Sequence, residues 1–132
     1  NYTDAMIDDI DLCRLEVKSG DEETYRRGTG GTLAPTIEFG RRLAARGKKI
    51  WVRFVLVPGL TDSVENVENV ARICESFDGA VEHIDVLGFH QLGRPKWHQL
   101  RIPYPLEDCE GPSKELRERV AGQFRDHGFV VY

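Results

Sequence analysis

The sequence predicts an α/β fold of three βα units, and two observations predict it. Segments of strand character begin near residues 12, 49 and 82, a recurrence of about 35 residues, the size of one βα unit. The stretches between them carry apolar residues at helical spacing. Such alternation makes a parallel sheet with helices packed outside it.

The first strand is read in "DLCRLEVKS", residues 11–19, where Cys13, Leu15 and Val17 alternate with Arg14, Glu16 and Lys18. Period two with one polar face is the pattern of a strand. The following "GDEETYRRGTGGTLA", residues 20–34, has four glycines and no apolar periodicity, and is read as a polar loop. A helix is expected from about Pro35, a residue suited to a first turn, with Ile37, Leu43 and Ala44 as its apolar stripe and Gly47 as its stop. The second strand is placed at about 49–57, where Arg53 interrupts the apolar run between Ile50 and Val57. That run, closed by Pro58-Gly59, reads as a strand buried on both faces. An arginine inside it needs a partner or a wet cavity, because an unpaired buried charge is costly.

Asp62, with Glu65 three residues on, is expected to cap the next helix, which Val64, Val67, Val70, Ala71, Cys74 and Phe77 mark out before Gly79. A third strand is expected around 82–88. The stretch "QLGRPKWHQLRIPYPLEDCEGP", residues 91–112, is read as a long proline-bearing loop, a kind that usually serves function or covers a site. The last helix starts near Ser113, carries Leu116, Val120 and Phe124 at spacing four, and stops at Gly128. "FVVY" is read as a final short strand.

With 30% charged and 40% hydrophobic residues, the chain has the balance of a globular domain with a single core. A net charge of −4 and scattered Lys/Arg pairs argue against a nucleic-acid surface. No apolar run is long enough to span a membrane, and "NYTDAMIDDI" has no signal-peptide core. Cys13, Cys74 and Cys109 lie far apart, as expected of small apolar side chains in a reducing compartment. That spacing excludes a local metal motif and leaves no metal ligands to assign.

In parallel α/β folds, ligands bind where the strands' carboxyl ends meet the loops. Glu16 and Lys18 lie at such an end, Arg53 and Val55 share one face of the second strand, and His90 follows the third. On spacing alone this rim reads equally as a structural ion network and as a site for an anionic or zwitterionic ligand. "GTGG" at 28–31 lacks the Lys-Ser/Thr of a phosphate loop. Glu82, Asp85, Glu107 and Asp108 form no acid–base pair. His83 is read as an ordinary strand residue, and His98 and His127 as surface residues. No catalytic residue is assigned.

"LEVK" (15–18), "EFGRRLAARGKKIWVRFVLVPGLTD" (38–62), "IDVLGFHQLGRPKW" (84–97) and "GFVVY" resemble the carboxy-terminal half of pyruvate formate-lyase activating enzymes, from about Tyr2 to Tyr132. These are radical S-adenosylmethionine (SAM) enzymes that install a glycyl radical on a partner enzyme. The resemblance implies a partial TIM-type (βα) barrel of six units, of which residues 1–132 would be the later three. It implies SAM as cofactor and a 4Fe–4S cluster held by CxxxCxxC. It also implies a flavodoxin- or ferredoxin-like reductant and a cytoplasmic setting. By position, Lys18 resembles a lysine at the aminoacyl or ribose end of SAM. Glu16 stands where the family has an aspartate that organises SAM and a monovalent cation, and the extra methylene puts the cation in question. Val55 and Leu87 resemble the apolar supports of the adenine, His90 the histidine beside the adenosyl group, and Arg53 an arginine of the wet barrel interior.

No CxxxCxxC occurs in these residues. The chain is therefore expected to be a fragment that lacks its amino-terminal half, assembles no cluster and is inactive alone. The competing readings are a cluster-free α/β binding module and an inert remnant.

Overall fold

The computed structural model describes residues 2–132, and Asn1 of the expected domain lies outside the described residues. In chain order the elements are α1 (Asp4–Asp8), β1 (Leu12–Glu16), α2 (Glu22–Thr29), α3 (Ala34–Ala45), β2 (Lys49–Leu56), α4 (Val64–Glu75), β3 (Val81–Gly88), a 3-10 turn (Gln91–Gly93), α5 (Arg94–Leu100) and α6 (Lys114–Asp126). The strands form one parallel sheet in the order β1-β2-β3, with Leu12 opposite Lys49, Glu16 opposite Arg53 and Arg53 opposite Asp85. The register slips once, between Ile50 and Trp51, where β3 carries Glu82 as an extra residue. "FVVY" adds a parallel bridge of Val131 to Ile84, with the Ile84 and Val86 amides donating to the Val130 and Tyr132 carbonyls at 2.9 and 2.8 Å.

Right-handed crossovers between neighbouring strands taken in order put every connecting helix on the same face of the sheet. The core lies there. Ile50, Val52, Phe54 and Leu56 of β2 are fully buried, packed with Leu43 of α3, Val67 and Val70 of α4, and Val120 and Phe124 of α6. The alternate β2 residues Trp51, Arg53 and Val55 are only half-buried, so the strand is covered on one face and not on both as the apolar run suggested. An arginine on that second face keeps its water. This one-sided layering is that of a barrel wall, with a partly solvated concave side.

Three further expectations are corrected. Residues 20–34 hold helix α2, which buries none of its side chains and so leaves no apolar period. Its stability is local: Asp21 caps it by accepting the Thr24 amide at 2.7 Å, Glu22 and Glu23 sit in the first turn, Arg26 and Arg27 in the last, and Gly30 stops it at φ 73°. The long loop holds α5, with a proline in its first turn. Ser63, not Asp62, caps α4; Asp62 instead accepts the Gly59 amide at 2.8 Å and closes the Pro58-Gly59 turn.

Two close contacts fix how the layers meet. Gly20 packs on α4 so tightly that a Cβ there would lie 2.5 Å from the Val70 nitrogen and 2.6 Å from the Asn66 carbonyl oxygen. The buried Asn66 amide accepts from Ser19 Oγ and the Gly20 N–H, both at 2.8 Å, and donates to the Thr61 carbonyl at 2.8 Å. The turns after β1 and β2 are thereby bonded to one side chain.

His127, expected at the surface, is instead largely covered between α4 and α6. Nδ1 lies 2.7 Å from Glu75 and Nε2 2.8 Å from Glu68. Both nitrogens can donate only in the imidazolium form. Hydrogen bonding to Glu75, then to Glu68, holds the His127 pKa above its ordinary value, and His127, then Gln123, holds the Glu68 carboxyl below its own.

Two outcomes follow from this packing. Alanine at Gly40 of α3 would set its Cβ 2.4 Å from the ring of the fully buried Phe77, whereas nothing lies near a Cβ at Gly122 of α6. Urea denaturation is expected to give Gly40→Ala a loss of about 1–3 kcal/mol from overpacking. The same change at Gly122 is expected to gain about 0.5–1 kcal/mol from helix propensity. The His127 contribution is whole below the ordinary histidine pKa and is lost as pH rises through the raised folded value. The Glu68 contribution is lost as pH falls through its lowered folded value. The stability difference between the unmodified chain and His127→Gln is therefore expected to shrink as denaturation midpoints are followed from about pH 6 into the alkaline range.

Candidate functional site at the carboxyl end of the sheet

The concave face carries its side chains in cross-strand rows. Arg14, Trp51 and His83 form the first, Glu16, Arg53 and Asp85 the second, and Val55 and Leu87 the third, with Lys18 just beyond the end of β1. Trp51 and His83 pack at 4.7 Å, and the Tyr132 ring meets His83 edge-on at 5.0 Å. His83 Nε2 lies 3.4 Å from Asp85 Oδ1. His83, read as an ordinary strand residue, is thus held by two aromatic rings and a carboxylate. Asp85 lies two residues along the same strand, but the two rings come from distant segments, so nothing local announces them.

Arg53 stands between Glu16 and Asp85 in the register, yet among the described residues it makes no ion pair within 4 Å. Glu16 pairs instead with Lys18, Nζ to Oε1 at 3.0 Å, both side chains being substantially exposed. The arginine of the apolar run is therefore accommodated by partial solvation, with Glu16 and Asp85 as its register neighbours but not its ion-pair partners.

Lys18 and Val55 meet at a cavity of about 200 Å³ over the carboxyl ends of β1 and β2. Its apolar wall is Val55, Val57, Leu60, Phe89 and Leu106, and α2 closes the other side with Tyr25, whose hydroxyl is 3.2 Å from Thr36 Oγ1. Thr61 shapes the floor by donating to the Val55 carbonyl at 2.9 Å and accepting the Val57 amide at 2.8 Å. Leu60 and Leu106 also line an open groove of about 770 Å³ that runs past Pro58, Cys109 and Glu110. Two leucines thus divide the cavity from the groove.

Of the six residues expected at the rim, the structure gathers Lys18 and Val55 in the cavity. Glu16 joins through its ion pair, and Leu87 lies beside Val55 in the register. Arg53 is one row below. His90 stands apart: it is exposed and caps the 3-10 turn, Nδ1 accepting from the Leu92 amide at 3.4 Å. Sequence reading missed Tyr25, Leu60, Phe89 and Leu106. The first lies in the helix that had no apolar period, and the last is brought in from 51 residues beyond Val55 by folding alone.

The chemistry open to this arrangement is binding. One ammonium faces an apolar pocket, which suits a ligand with a carboxylate at one end and a flat or apolar group at the other. Metal ligation is not offered: among the described residues no group of three or more His, Cys, Asp or Glu could hold a metal ion. Burial pushes the Cys74 thiol up to about 12, and burial likewise raises Cys13 and Cys109 above the ordinary thiol value, so none is poised as a thiolate. Among the described residues, no helix is long and apolar enough to cross a membrane.

No protein-family model matches the chain. It is 32% identical over 128 residues to the pyruvate formate-lyase 1-activating enzyme of Escherichia coli, covering 97% of this chain and 52% of that protein. It is 34% identical over 120 residues to the pyruvate formate-lyase-activating enzyme of Clostridium pasteurianum, covering 91% and 50%. Among solved structures, a domain of a pyruvate-formate lyase-activating enzyme from Bacteroides vulgatus superposes with a TM-score of 0.79 at 18% identity, over 98% of this chain and 70% of that one. A radical SAM methyltransferase from Sphaerobacter thermophilus gives 0.63 at 20%, over 98% and 37%. At those identities the two structures speak for the fold, an α/β partial barrel wall. The chain spans about half the length of the curated relatives it matches. Over nearly its whole length, this chain is homologous to pyruvate formate-lyase activating enzymes and corresponds to about half of each.

Proposed function

We propose that the chain is the carboxy-terminal half of a cytoplasmic radical SAM activase that generates a glycyl radical on pyruvate formate-lyase or a related enzyme. One observation carries the reading: in a chain homologous to these activases, Lys18 and an apolar-walled cavity meet at the carboxyl end of the sheet.

Lys18 would hold the carboxylate of SAM, with Glu16 steering the lysine through their 3.0 Å pair. Val55 and Leu87 would support the adenine and Arg53 would keep the interior below it polar, whereas His90 would reach the adenosyl group only by leaving its cap on the 3-10 turn. The residues present fit one end of such a ligand. A cavity of about 200 Å³ is smaller than the roughly 300–1,000 Å³ of complete small-molecule sites, so the other end belongs to a second wall. That wall would be the amino-terminal half, which would also bring the CxxxCxxC ligands of a 4Fe–4S cluster and meet a flavodoxin- or ferredoxin-type reductant.

The cluster does not fit the residues of this chain, since its three thiols are scattered and held protonated. In the complete protein, cluster and SAM would supply the radical chemistry. This chain's residues bind and orient the SAM end, and without the other half they carry out no reaction.

Calorimetry with SAM is expected to give weak saturable binding that Lys18→Ala weakens about tenfold or more, while the exposed Lys114→Ala leaves it unchanged. In the complete parent polypeptide, Lys18→Ala is expected to lower the glycyl-radical signal formed on pyruvate formate-lyase, read by electron paramagnetic resonance. Absence of saturable SAM binding, or indifference to Lys18→Ala in both assays, would overturn the reading.

A further inference from the structure

The excursion between β3 and α6 contributes no residue to the buried core cluster. Hydrogen bonds hold it instead. Gln91 Nε2 donates to the carbonyls of Leu106 and Cys109, both at 2.8 Å, and Arg94 binds Glu107 through both its carboxylate and its carbonyl. Trp97 and Tyr104 stack on each other at 5.1 Å. A unit this well tied should fold its leucines inward, yet Leu92 is 79% exposed, Leu100 68% and Ile102 48%. Lys96 and Leu100 fall four residues apart on one face of α5, and Leu92 lies in the 3-10 turn that precedes it. Beyond them, Arg101 ends α5 in the left-handed region at φ 55°, an uncommon conformation for a non-glycine residue.

The stretch around α5 is locally basic, although Glu107, Asp108 and Glu110 follow directly in the same excursion. The chain has 22 acidic and 18 basic side chains, but no acidic residue occurs from Val86 to Leu106, where Arg94, Lys96 and Arg101 lie. Glu107 neutralises Arg94 and contacts His98, whereas Lys96 and Arg101 make no ion pair among the described residues. Exposed leucines flanked by unpaired cations, on a scaffold ordered by its own bonds, make a pre-formed contact surface.

We propose that α5 and its flanks dock an acidic, leucine-bearing segment of a separate protein. Charge complementarity selects the acidic partner, and the exposed Leu92 and Leu100 select apolar side chains between its carboxylates. A nucleic acid fits less well, because Trp97 and Tyr104 are occupied with each other and the exposed apolar groups are aliphatic. The position favours a separate protein over further sheet of the same barrel. Additional strands would join the open edge at β1, whereas α5 follows β3, whose outer edge already pairs with Val131. The surface is independent of the Lys18 cavity, so it stands whether or not that cavity binds SAM.

The test is fluorescence anisotropy of the full chain with a labelled peptide of alternating glutamate and leucine, beside a lysine–leucine counterpart and a single-stranded oligonucleotide. The acidic peptide is expected to bind, and to weaken severalfold as salt rises from about 50 to about 200 mM. It is expected to weaken about tenfold or more with Lys96→Glu/Arg101→Glu and with Leu100→Ser. All three side chains are exposed, so unchanged circular dichroism is expected and checks that the variants fold. Failure of the acidic peptide to bind, equal binding by the lysine peptide, or indifference to both variants overturns the proposal. So does preferential oligonucleotide binding. Self-association of the chain that Lys96→Glu/Arg101→Glu abolishes would assign the surface to a second copy, which also overturns it.

Discussion

The buried amide of Asn66 is the interaction on which the remaining geometry depends. Its oxygen receives the Ser19 hydroxyl and the Gly20 amide, its nitrogen reaches the Thr61 carbonyl, and its own helix starts three residues earlier at Ser63. The turns that leave β1 and β2 are thus bound to the first turn of α4 by one side chain. Gly20 lets the backbones approach closely enough for this to happen. Removing the amide would leave buried donors unpaired, at about 1–3 kcal/mol each. Lys18 lies two residues before Gly20, and Thr61 floors the cavity, so the ammonium and its pocket are held by the same bond set.

The sheet then divides the chain's chemistry between its faces. The helical side takes Ile50, Val52, Phe54 and Leu56 out of water altogether, and each large aliphatic or aromatic side chain so buried contributes about 1.5–3 kcal/mol. The concave side receives Glu16, Arg53, His83 and Asp85, which retain part of their hydration and need not be paired. Alternation along β2 makes the two requirements compatible in adjacent residues. A charged row can lie directly behind the core because the peptide plane separates them.

The molecule is ordered by two different means. The barrel wall is held by apolar burial, and the excursion from Gln91 to Gly111 by polar bonds to backbone carbonyls and by one aromatic stack. The second means leaves leucines in water. It also brings Leu106 back over the sheet, where it closes the cavity against Val55 and Phe89.

The sequence by itself determined the strands and the three core-covering helices, and the places of Glu16, Lys18, Arg53 and Val55 along their strands, because each depends on periodicity or on place along a strand. It read α2 and α5 as loops, because their order comes from capping and from contacts distant in the chain. It also favoured Asp62 over Ser63 as a cap, since both residue types serve and only backbone geometry chooses between them. Tertiary structure alone decided that one face of β2 stays wet, that His90 turns to the 3-10 turn, and that Leu106 and Tyr25 wall the cavity. The physical reason is the same throughout: local pattern records which side chains avoid water, whereas which groups face each other across a cavity depends on chain segments that meet only after folding.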